Sequence, residues 1–120
     1  MTRPLPSWLT VTTGPAPGDP AAAVMDGRAC RTRAAFFEEA ARALRLPGHF
    51  GRNWDALTDC LRDTDVTALV VEHAEHLLAA EPPEQFAVLL AVLSDAGLSV
   101  TLRTDAGHEQ ALRRRAATAG

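Results

Sequence analysis

The chain has no lysine; all twelve basic side chains are arginine, a bias of composition that says nothing of function. It has only two cysteines, Cys30 and Cys60, with no Cys-x-x-Cys, which argues against a disulfide scaffold and for reduced thiols buried as small hydrophobes. It lacks a long apolar run: the longest, Phe86 to Leu93, is far too short to span a bilayer, so no membrane partner is expected. The opening Met1-Thr2-Arg3-Pro4-Leu5-Pro6 lacks the apolar segment of a secretory signal, which together with the thiols points to the cytoplasm. Catalytic signatures are missing too. There is no Gly-x-Ser-x-Gly, no His-Glu-x-x-His, no phosphate-binding loop and no glycine-rich dinucleotide fingerprint, so the sequence does not read as an enzyme. No cofactor is implied.

One further absence is regional. Between Asp63 and Leu102 there is no basic residue, while Asp63, Asp65, Glu72, Glu75, Glu81, Glu84 and Asp95 are all acidic. The net charge of −3 therefore hides a strongly acidic second half. Such a surface repels nucleic acid and attracts basic partners, though a merely solvated face has the same charge pattern. The Arg113-Arg114-Arg115 run is too short to reverse that inference.

What is present is an ordinary globular composition, 47% hydrophobic and 22% charged over 120 residues, which suits one domain (1–120) with a core of its own. Trp8–Thr12 alternates and reads as a short strand, followed by a Gly/Pro loop over 14–20. Ala22–Met25 is a second apolar run, closed by the turn signal Asp26-Gly27. Thr32 is placed to cap a helix from about Arg33 to Leu44, whose stripe is Phe36/Phe37, Ala40/Ala41 and Leu44. A second helix is expected from Asn53 to Leu61, a strand over Thr67–Glu72, a third helix opened by Pro82-Pro83 and stopped by Gly97, and a last strand over Leu98–Leu102. His108–Ala117 reads either as a helix or as an irregular tail. Strands joined by helical crossovers imply an α/β fold with a small three-stranded parallel sheet, and Trp8–Thr12 is the candidate fourth strand at its edge.

The most specific stretch is His49-Phe50-Gly51-Arg52-Asn53-Trp54-Asp55-Ala56-Leu57-Thr58-Asp59-Cys60. It could be an active site, a metal site or a surface for another protein. With Asn53 as helix cap, the helical period turns Trp54, Leu57, Cys60 and Leu61 inward and Asp55, Asp59 and Arg62 outward, with Thr58 at the edge. Gly51 is the residue expected to take a positive φ in the loop before it. Asp55 is explained by the helix dipole, but Asp59 lies beyond the first turn, where only Arg62 offers a partner in sequence. Two carboxylates on one exposed helix are not the facing walls that acid/base chemistry needs. His73 and His76 share a three-residue spacing, but further ligands at metal-site spacing are missing, so no metal is called.

The same residues resemble the barstar family of intracellular ribonuclease inhibitors, whose central motif is an aromatic pair followed by Gly-x-Asn-x-Asp-Ala-Leu-x-Asp-Cys-Leu. Phe50-Gly51-x-Asn53-x-Asp55-Ala56-Leu57-x-Asp59-Cys60-Leu61 reproduces it without a gap, and the order of neighbouring elements extends the likeness over about residues 24–103. The resemblance implies a barstar-like fold and a stoichiometric inhibitor, an immunity protein that forms a 1:1 complex with a basic, barnase-like ribonuclease and occludes its active site. Carried over by position, Asp59 mimics a substrate phosphate, Asp55 pairs with a basic cleft residue, and His49, Phe50, Gly51, Asn53 and Thr58 supply the surrounding contacts. Four positions depart from the family pattern: His49 in the aromatic pair, Thr58 where a large aromatic is familiar, Arg52 before the asparagine, and Val92 where the last long helix would offer a further acid, with Asp95 beyond it. These motivate a second reading, a barstar-like module for a different toxin or a basic regulatory protein.

Overall fold

A computed structural model describes residues 4–15 and 22–119. The order is β1 (Leu9–Thr12), β2 (Ala22–Asp26), α1 (Arg33–Ala43), α2 (Trp54–Arg62), β3 (Ala68–Glu72), α3 (Pro83–Asp95), β4 (Ser99–Arg103) and α4 (Glu109–Ala119), with single 3-10 turns at Gly27–Ala29 and Ala74–His76. Residues 16–20 of the expected Gly/Pro loop lie outside the described residues.

The strands pair in the order β1-β4-β3-β2, every pair parallel. The sheet thus has four strands: the N-terminal segment does add the edge, with Leu9 opposite Val100 and Thr12 opposite Arg103. The reason is visible in its alternation, because Leu9 and Val11 fall on the same face as the inward residues of its neighbours. Two rows run across that face in register, Leu9–Val100–Leu69–Ala23 and Val11–Leu102–Val71–Met25. All eight residues belong to one core cluster, to which each of the four helices adds its buried side chains. β3 is central and buries Leu69, Val70 and Val71 in succession, as a parallel strand covered on both faces should.

The helices start and stop where their sequence chemistry says. Thr32 accepts the Ala35 N–H at 3.2 Å and caps α1. Pro83 opens α3. Gly97 adopts φ +74° immediately past its end, a conformation that favours glycine. Gly27 is required for space: a Cβ there would meet the His73 carbonyl oxygen at 2.3 Å, so β2 and β3 can end side by side only without a side chain. The C-terminal segment is a true helix, tied down by arginines that point inward. Arg113 donates to the Val11 carbonyl at 2.7 Å, and Arg115 donates to Leu77 and Leu78 at 2.6 and 3.1 Å while its guanidinium lies 4.1 Å over the Phe86 ring. Two arginines of the basic run are therefore structural. No described helix is long and apolar enough to cross a membrane.

Candidate partner-binding surface

The central stretch becomes a loop pinned from behind and a short helix with two unlike sides. Asn53 sits at the N-cap with φ −143°; its Oδ1 accepts the Ala56 N–H at 2.8 Å, and its Nδ2 donates to the Gly51 carbonyl at 3.1 Å. One amide therefore caps the helix and ties down the turn before it. Inward, Leu57 and Leu61 are buried, while Trp54 and Cys60 are half-buried. Trp54 packs at 4.9 Å from Phe37 and 5.6 Å from Phe36, and its Nε1 donates to Gln85 at 3.0 Å, linking α2 to α1 and α3.

Two expectations for the loop need correction. Phe50 does not stand at the surface: it is 4% exposed and packs edge-on against Phe37 at 6.0 Å, so its side chain anchors the loop in the core. Nor is Gly51 the residue with positive φ. Arg52 takes that conformation, φ 51°. The arginine is held there by its own side chain, which donates to the Phe50 carbonyl at 3.1 Å and forms an ion pair with Glu38 of α1. Glu38, fourteen positions earlier in sequence, carries no local signal that would have revealed this partnership.

The outward side is polar and exposed. Asp55 and Asp59 both face solvent, and Asp55 has no ion pair among the described residues. Asp59 meets Arg62 at 3.6 Å, with the side chains 77% and 67% exposed, a pair open to water and worth little. His49 and Gly51 are exposed beside them. Thr58 is half-buried, and its hydroxyl donates back to the Trp54 carbonyl at 2.9 Å. A groove of about 360 Å³ runs along this side, lined among others by Arg45, His49, Gly51, Asp59, Cys60 and Asp63. The two cysteines differ: Cys30 is fully buried, and burial pushes its thiol up to about 12, whereas Cys60 lines this groove.

Among the described residues, Glu75, Asp105 and His108 are the group whose ligand atoms come within 4.8 Å of one another. Asp105 is bonded to His108 at 2.7 Å across the start of α4, and Glu75 accepts from Thr104 at 2.8 Å. His73 stands outside that group; the His73/His76 spacing does not bring a ligand set together. No buried side-chain nitrogen or oxygen among the described residues lacks a hydrogen-bond partner.

No curated protein sequence matches the chain. A family model described as Barstar (barnase inhibitor) matches residues 21–113, which includes β2 through β4, the whole of α2 with its loop, and the first part of α4. The match reaches further along the chain than the motif-based resemblance, and β1 precedes it. With the motif on a capped, outward-facing helix and the matched region covering well over half of its length, this chain belongs to the barstar family, whose members are inhibitors and not enzymes.

Proposed function

We propose that this barstar-family chain is a stoichiometric inhibitor of a basic ribonuclease, a cytoplasmic immunity protein that forms a 1:1 complex and closes its partner's active site with α2 and the loop before it. The observation that carries the reading is the state of Asp55 and Asp59. Both are exposed on a rigid, capped helix, and neither has a strong partner among the described residues. Fixed carboxylates of this kind suit a cleft built to hold phosphates, because its arginines, lysines and histidines form charge-assisted hydrogen bonds to either anion. Asp59 takes the phosphate position and Asp55 a neighbouring cation, while Asn53, Gly51, His49 and Thr58 form the rim. Phe50 supports this surface from the core. The acidic stretch from Asp63 to Leu102 adds long-range attraction for a basic partner.

The test is Asp59→Ala. It should abolish inhibition of the cognate ribonuclease and leave the urea-unfolding midpoint unchanged. A tight complex in which the nuclease stays fully active would refute the inhibitory role. Association should also slow as salt is raised.

A second reading keeps the surface and changes the partner to a toxin or regulatory protein that is not a ribonuclease. What favours it is the rim: Thr58 is small with its hydroxyl bonded to the Trp54 carbonyl, His49 stands in place of a larger aromatic, and Arg52 puts a cation beside the aspartates. Pull-down from the native cytosol followed by mass spectrometry separates the two, since a non-nuclease recovered in place of a ribonuclease would decide for the second.

A further inference from the structure

We propose that Glu38 is a positioning residue for the recognition loop: it holds the Arg52 side chain against α1, fixing residues 49–53 and turning their arginine away from the face that carries Asp55 and Asp59. The partner-binding half of this inference rests on the function proposed above; the loop-fixing half stands on the free protein.

Arg52 is in an awkward place three times over. Its backbone is left-handed at φ 51°, a region that a residue with a β-carbon avoids. It directly precedes the N-cap of α2, so its charge lies beside the positive end of the helix dipole. It also neighbours the aspartates that would enter a basic cleft, where an added cation is repelled. The structure answers all three with one arrangement. The Arg52 guanidinium donates to the Phe50 carbonyl at 3.1 Å, which closes the turn, and pairs with Glu38 on α1, which neutralises the charge. The Arg52 guanidinium beside Glu38 holds that carboxyl below its usual range, so it is anionic at neutral pH.

An exposed pair contributes little to global stability, and Glu38 and Arg52 are 62% and 49% exposed. Its effect lies in where it acts. The loop has few anchors: Phe50 in the core, the Phe50 N–H on the Pro47 carbonyl at 3.0 Å, and the Asn53 bond to Gly51. Local opening of such a segment is set by small free energies that leave the core untouched. Glu38 therefore controls loop order and, through Arg52, the charge that a partner meets.

Four proteins test this: wild type, Glu38→Gln, Arg52→Gln and the double variant. The first measurement is amide exchange at Phe50, whose N–H is bonded to the Pro47 carbonyl, and at Ala56, whose N–H is bonded to Asn53. Glu38→Gln should speed it about threefold while the sheet is unaffected, and it should add nothing in the Arg52→Gln background. Unchanged exchange, or an equal increase in both backgrounds, would overturn the positioning role. The second measurement is stopped-flow association with barnase. Glu38→Gln should slow association several-fold in the wild-type background and much less once Arg52 is gone; an equal loss in both would mean that Glu38 acts by its own charge and would overturn the shielding role. Asp59→Ala run alongside tests the surface itself. If wild type does not bind barnase, the exchange measurement decides alone.

Discussion

α2 and α3 pack against each other, joined by the hydrogen bond from Trp54 to Gln85, and their solvent sides are built on opposite terms. α3 buries Phe86, Leu89, Leu90 and Leu93 and exposes Val88 and Ala91 between Glu84 and Asp95 at its ends. Acid near its start favours the helix dipole, and Ala91 and the leucines are good helix formers, while Val88 is a weaker one and Asp95 at the last position is disfavoured by the dipole. Packing and helix chemistry account for nearly all of α3. In α2 they account for about half. Leu57 and Leu61 fill the core, Asn53 caps, and Asp55 suits the first turn. Asp59 is explained by none of these. It lies in the second half of a nine-residue helix, where the dipole disfavours an anion, and among the described residues its only ion pair is a loose contact at 3.6 Å. That the fold has little use for Asp59 is what the proposed recognition surface rests on.

The largest expected effect comes from α3. Phe86→Ala removes a ring that is 1% exposed and sits under Arg115, and should cost about 3–5 kcal/mol in urea unfolding. Asp59→Ala should do the converse: no change in unfolding beyond about 0.5 kcal/mol, but at least about 2 kcal/mol lost in binding, some thirtyfold. Should Asp59→Ala destabilise the free protein by more than about 1 kcal/mol, the contrast between the two helices fails, because Asp59 would then be serving the fold.

Asn53→Ala sits between these. It loses both the cap to Ala56 and the tie to Gly51, and should cost about 1 kcal/mol of stability together with a modest loss of affinity, measured by urea unfolding and titration calorimetry on the same protein. A stability loss with affinity intact would show that the cap serves the helix alone and that the loop is ordered by its other anchors.

How legible all this is in the sequence follows from the range of the interactions. The caps at Thr32 and Asn53, the stop at Gly97 and the inward rows of the strands depend on neighbours within a few residues, and the sequence shows them directly. The motif alone pointed to the family. What stays hidden is set by contacts distant in sequence. Phe50 looks like a surface aromatic until Phe37 is seen against it, and the αL residue is Arg52 instead of Gly51 because Glu38 and the Phe50 carbonyl hold its side chain. The arginine run near the C-terminus shows no partner in sequence, yet two of its members reach carbonyls of β1 and of the segment before α3. β1 is readable as a candidate edge strand, but its pairing with β4 and its tie to Arg113 show only in the structure.

The smallest effect belongs to a pair that serves neither helix. His108 is bonded to Asp105 at 2.7 Å at the start of α4, and both side chains are exposed. The Asp105 carboxylate raises the imidazole above its usual range, and the imidazolium in turn holds the carboxyl below its own. The signs are opposite and define a window. The histidine's contribution is complete below its ordinary value of about 6.5 and disappears as pH rises through its raised folded value. The carboxylate's contribution is present above about 3.9 and disappears as pH falls through its lowered folded value. Between the two ordinary values the pair is fully charged and stabilises; as pH rises through the histidine's raised value the protein loses that share. His108→Gln should flatten this part of the stability curve, read as unfolding midpoints at pH 5.5 and 8.5, and should leave the pH dependence of partner binding unchanged. If the variant alters binding between those pH values, the Asp105–His108 corner at the start of α4 takes part in recognition, and the contrast between α2 and the rest of the surface fails.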